Sequence, residues 1–196
     1  LGAFNEETPD WLSFFMFTYF TDRDGKMQLE SLAQSGFDPL SRTCRFMLTE
    51  EAHHMFVGET GVGRTIQATV DAMTAAGITD PYDTNRIRDL GVIDLPTIQK
   101  KLNLHYSLSL DLFGNEVSTN AANAFNAGIK GRYMEHRLDD DHQLQRDTYD
   151  VKMVSEDQIV TEQMPALNAI NMRLRDDYVK DASGGLTRWN KIMKRK

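Results

Sequence analysis

The sequence predicts an all-α bundle of helices carrying one small β-hairpin. Apolar residues recur at helical spacing in long stretches, at Leu12, Phe15, Met16, Tyr19 and Phe20 and again at Ile98, Leu102, Leu108 and Leu112. One stretch, Asp150–Gln163, instead alternates apolar with polar residues. The strand-then-helix repetition that would build a parallel sheet is missing, and no internal repeat occurs at solenoid periods. With 196 residues, 40% apolar and 26% charged, the chain is long enough for one domain and too apolar for disorder.

Taken in order, Thr8 is the expected N-cap of the first helix, with Pro9 at its first position. Aromatic residues lie on nearly every side of Trp11–Phe20, the pattern of a helix buried within a bundle. This helix is expected to reach about Gln34, with Asp24-Gly25 as its candidate break, and Gly36–Pro39 forms a loop. Ser41 or Thr43 is the expected cap of a second helix running to Ala76, closed by Gly77. Its length of roughly 35 residues implies a long bundle helix or a break near Gly58–Gly63.

Residues 78–95 form a connection with a short helix at Thr84–Leu90. Helices follow at Leu95–Phe113 and Ser118–Lys130, then a hairpin turning around Ser155-Glu156-Asp157. A last helix is expected from about Pro165 to Lys180, ended by Ser183-Gly184-Gly185 and a basic tail. The expected organisation is a helical bundle over 1–130, with an acidic loop, hairpin and final helix over 131–196 packing on the same domain.

Composition narrows the function classes. A net charge of −7 and a pI near 5.2 argue against nucleic acid, whose phosphates need a basic face. The single Cys44 excludes a disulfide framework and a four-cysteine zinc site, and fits a reducing, cytoplasmic location. The longest apolar run, Phe14–Phe20, is too short to span a bilayer, so no membrane is expected.

The chemistry concentrates in Thr49–His54. Glu51 and His54 are three residues apart, as are Glu50 and His53, so either pair shares one helix face. A carboxylate and an imidazole on adjacent turns can reach one iron, an arrangement found in ferritin-like di-iron bundles, where facing helices add further carboxylates. The flanking Phe46, Met47, Leu48, Met55, Phe56 and Val57 make the setting apolar, where a buried charge needs a partner. The competing reading is a solvated Glu/His stripe. Asp22, on the preceding helix, could supply the extra carboxylate, or it belongs to a helix-ending turn.

Other candidates carry less. Asp139–His142, Glu135 and His136 fit a solvated acidic loop. Cys44 fits a core thiol, and His105-Tyr106 fits helix packing. Asn120, Asn123 and Asn126 form a row that could line a polar pocket. Gly58–Arg64 lacks the ending and the preceding strand of a phosphate loop.

Longer words of the sequence go further. Leu1–Asn5, Pro9–Thr18, Phe20–Lys26, Phe37–Leu40, Phe46–Glu59, Ile93–Gln99, Asp140–His142 and Leu174–Val179 closely resemble the benzoyl-coenzyme A 2,3-epoxidase family. These are the di-iron oxygenase components of aerobic benzoate breakdown, and the resemblance runs nearly end to end. It implies a ferritin-like fold, with Asp22, Glu51 and His54 as three iron ligands and Glu50 and His53 as the alternative register. The family's other ligands, a Glu and a Glu-x-x-His, come from an earlier helix pair that no residues here match. The chain, opening at Leu1, therefore resembles the central-to-C-terminal portion of a longer enzyme. The implied reaction epoxidises the ring of benzoyl-CoA with dioxygen, using electrons from NADPH through a flavin and iron–sulfur reductase. Arg132, Arg137 and Lys130 could serve the coenzyme A tail, without distinction among them. The alternatives are a ferritin-like iron-binding chain and an inert fragment without catalysis of its own.

Overall fold

In a computed structural model, residues 7–113 and 148–194 are described, and they form five helices and one two-stranded sheet. In chain order these are α1 (Trp11–Leu32), α2 (Asp38–Ala75), α3 (Thr84–Asp89), α4 (Leu95–Asp111), β1 (Thr148–Ser155), β2 (Gln158–Pro165) and α5 (Ala166–Lys194). The all-α class and the small hairpin are as expected. The helix expected at Ser118–Lys130, the Asn120 row, the acidic cluster at 135–142 and a boundary near residue 130 lie outside the described residues, as do Leu1–Asn5.

The chain divides into two compact units. One comprises Leu1–Gly25, Glu50–Leu110 and Val179–Lys196, and the other comprises Lys26–Thr49 and Asp111–Tyr178. In the first unit α1 and α2 run antiparallel, since Gly61 lies against Phe15, Gly58 against Tyr19 and Glu51 against Gly25. The buried face of α1 presents Leu12, Met16, Tyr19 and Phe20, with the Trp189 ring 4.7 Å from that of Tyr19. Burial is one-sided rather than all round, because Trp11 is 74% exposed and Phe14 and Phe17 are also open. A satellite core of Met73, Ile78 and Ile87 closes the far end of α2.

Caps explain where these helices begin and end. Asp10, not Thr8, caps α1, its carboxylate accepting the Ser13 N–H at 2.8 Å. Neither Ser41 nor Thr43 caps α2, which already starts at Asp38 and carries Pro39 in its first turn. Ser41 instead donates to the Ala33 carbonyl and Thr43 to the Pro39 carbonyl. Gly77 ends α2 as expected. At φ +64 it donates to Thr74 while Ile78 donates to Met73, and the Met73–Ile78 contact completes the motif.

The candidate breaks are not breaks. Gly25 and Gly58–Gly63 lie inside unbroken helices, and α5 continues through Ser183-Gly184-Gly185 to Lys194. A Cβ on Gly58 would stand 2.6 Å from the Tyr19 amide nitrogen, and one on Gly61 would overlap the Phe15 ring. These glycines permit close approach between helices, which offsets their poor helix propensity.

In the second unit, Cys44 is a buried free thiol whose pKa burial pushes up, as a core residue requires. The Phe113 and Tyr178 rings stand 5.1 Å apart. Glu156 and Asp157, both at positive φ, make the two-residue turn that matches strand twist. Beyond them Val154 pairs with Ile159, and both stay exposed.

Candidate metal centre

Asp22 sits one turn beyond Tyr19 on α1, and Glu51 and His54 sit one turn apart on α2. Because the two helices run antiparallel in tight contact, all three side chains meet across the seam. One donor atom from each lies within 4.8 Å of the others. His54 Nδ1 is 3.6 Å from Asp22 Oδ2 and 3.8 Å from Glu51 Oε2. Those separations are too long for hydrogen bonds and suit groups arranged around a common centre.

The electrostatics follow from partial burial. The two carboxylates are 17% and 16% exposed at their side chains, whereas His54 opens to solvent at 48%. Burial, and secondarily the Glu51 charge, push the Asp22 carboxyl up to about 6, with His54 opposing. Burial also raises Glu51, again opposed by His54. Glu51 Oε2 is buried without a hydrogen-bond partner. An unpaired buried carboxylate oxygen costs free energy that a cation would recover.

Donor type fits the same answer. Two carboxylates and one imidazole suit a divalent transition metal such as iron, and three protein donors leave coordination positions open. Gly25 packs beside this carboxylate, where a Cβ would lie 3.6 Å from Glu51 Oε1, an ordinary van der Waals distance. The alternative pair, Glu50 and His53, is exposed and outside the cluster. Adjacent residues on a helix differ in direction by about 100°, so only one of two neighbouring registers can face α1.

An apolar cleft of about 520 Å³ begins one turn along α2 from His54. Phe15, Phe56, Val57, Gly61 and Val92 line it, with Arg64 at its edge. His105, expected to serve packing, is half-buried, and burial together with the nearby Lys101 charge lowers its pKa. Lys101 itself is tied to Asp10 and to the Ser13 hydroxyl, which fastens α4 to the start of α1.

Comparison with known proteins adds an independent line. No family model matches the chain. Benzoyl-CoA oxygenase component B of Aromatoleum evansii is 58% identical over 192 residues, covering 98% of this chain. The chain spans 40% of that relative's length.

Proposed function

We propose, from its 58% identity over 98% of its length to benzoyl-CoA oxygenase component B, that the chain belongs to that family and forms part of an oxygenase acting on benzoyl-CoA. In this reading Asp22, Glu51 and His54 hold iron as one half of a di-iron site. The remaining ligands come from residues that this chain does not match. The observation that carries the assignment is the convergence of three donors around the unpartnered, buried Glu51 Oε2.

Iron bound there would supply dioxygen activation: with two electrons from a reductase and two protons, one oxygen atom would add across the 2,3 bond of the ring and the other would leave as water. The chain's own residues supply placement. His54, at the open edge, and the two carboxylates fix the metal and leave positions free. In this reading the open, largely apolar cleft lined by Phe15, Phe56 and Val57 takes the aromatic ring. Electrons enter from a separate flavin and iron–sulfur reductase drawing on NADPH. The word "component" in the relative's name supports the existence of such a partner. A cytoplasmic setting belongs to the same proposal, and among the described residues no helix is long and apolar enough to cross a membrane.

Anaerobic ferrous titration with elemental analysis of the 196-residue chain tests the site. The wild-type chain should retain iron at one atom per chain or fewer. Asp22→Ala, Glu51→Ala and His54→Ala should each abolish retention, while Glu50→Ala and His53→Ala keep it. Equal losses from Glu50→Ala and Glu51→Ala would overturn the register. Two tightly held irons per chain would overturn the half-site and place a complete centre within these residues.

A further inference from the structure

We propose that Arg23 and Tyr19 form a positioning brace that sets the rotation of α1 about its axis, and with it the direction of the Asp22 carboxylate. The inference rests on the metal-site reading given above.

Arg23 is buried at 6% exposure although it carries a full charge. Its Nη1 donates to Asp181 Oδ2 on α5 at 2.6 Å, and its guanidinium carbon lies 4.3 Å from the centre of the Tyr19 ring. The Tyr19 hydroxyl donates to the Ala182 carbonyl at 3.0 Å. A Cβ on Gly185 would overlap that hydroxyl, so the glycine forms the slot that receives the tyrosine. Residues 19 and 23 are one turn apart and share a helix face. Both are therefore fastened to the same short run of α5, residues 181–185. Asp22 projects from the flank of that face toward Glu51 and His54.

As a device for stability the brace is poor. Arg23 Nε is buried with no hydrogen-bond partner, and the Asp181 side chain is 39% exposed, so solvent screens the ion pair. Its value lies in geometry. A side-chain atom about 6 Å from the helix axis moves roughly 1 Å for each 10° of rotation. Metal ligands tolerate about 0.5 Å of displacement. Two fastenings on one face of α1 oppose that rotation, in addition to the close packing of Phe15 and Tyr19 against Gly61 and Gly58.

Ferrous affinity, measured anaerobically by competition with a colorimetric chelator, tests the brace in chains shown by far-UV circular dichroism to be folded. Arg23→Met should weaken iron binding by about 10–100-fold, the range found for residues that orient metal ligands. Arg23→Lys should recover part of the loss, and Tyr19→Phe, which removes only the hydroxyl, should show a smaller loss of the same sign. Folded Arg23→Met with wild-type affinity overturns the inference. If Arg23→Met does not fold, wild-type affinity in Tyr19→Phe overturns it. Glu51→Ala separates the two readings: loss there with no loss in the brace variants rejects the brace and leaves the metal site standing. A wild-type chain that takes no iron rejects both.

Discussion

Replacing Asp22 by Asn in the metal-free chain should stabilise it at neutral pH, and the gain should vanish in acid. Burial and the neighbouring Glu51 raise the Asp22 carboxyl from its ordinary 3.8 to about 6 in the folded chain. The folded state thus holds this proton more tightly than the unfolded state does. Stability from this group is fully present below pH 3.8 and is lost as pH rises through about 6. A shift of two units corresponds to about 3 kcal/mol, and the 17% exposure of the side chain reduces the expected effect to about 1–3 kcal/mol. The assay is urea unfolding of both chains, without metal and with chelator, at intervals from pH 3.5 to 8. Subtracting the two curves cancels the titrating groups that do not interact with residue 22, and leaves Asp22 with its coupled neighbours Glu51 and His54. The difference should be near zero at the acid end, grow between about pH 4 and 6, and level off above pH 7. Equal stability at pH 7.5, or an Asn variant that is less stable there, would refute the reasoning that burial and the Glu51 charge disfavour the ionised Asp22 carboxylate. Saturating ferrous iron should reverse the sign, because binding to the folded wild-type chain stabilises it by mass action.

The glycines give a contrasting pair. Gly61→Ala should cost about 1–3 kcal/mol, because the new Cβ overlaps the Phe15 ring. Gly63→Ala meets nothing closer than 3.5 Å and should stabilise by about 0.5–1 kcal/mol through helix propensity. Thermal unfolding distinguishes them, and equal midpoints would reject the close-approach account. Asp94 is buried and caps α4, accepting the Thr97 N–H and pairing with Arg88 at 2.6 Å. Burial works to raise its pKa, but hydrogen bonds from Arg88 and Thr97 outweigh it and hold the carboxyl below the usual range. Its contribution is therefore present above about pH 4 and lost as pH falls. Asp94→Ala should cost about 2–4 kcal/mol at pH 7, and an unchanged denaturation midpoint would contradict that.

Local chemistry made much of the fold legible. Apolar spacing located α1 and α4, the stop at Gly77 located the end of α2, and Thr84–Leu90 anticipated α3 to within one residue. Gly77 was recognisable because few residues other than glycine accept its positive φ. Alternation around Ser155-Glu156-Asp157 located the hairpin, because strand periodicity differs sharply from helical periodicity. The cap of α1 was misplaced because Thr8, Pro9 and Asp10 all carry N-terminal signals within three residues, and only the path of the backbone selects one.

By itself the sequence determined the class of fold, the small hairpin and the residue types able to hold a metal. Periodicity, spacing and composition are local properties, and these conclusions need nothing more. Spacing left two neighbouring Glu/His pairs open, and the family resemblance favoured Glu51 and His54. Only the tertiary structure brings that pair to Asp22, because spacing within a helix says nothing about its rotation against a neighbour. It likewise decided that Gly25, Gly58, Gly61 and Gly185 are helix-interior residues. A missing side chain weakens a helix in isolation, but at Gly58, Gly61 and Gly185 it becomes the place where Phe15 or Tyr19 fits. Arg23 shows the same limit: in the sequence it is one charge among 22 basic residues, and in the fold it is buried beneath Tyr19 and paired with Asp181.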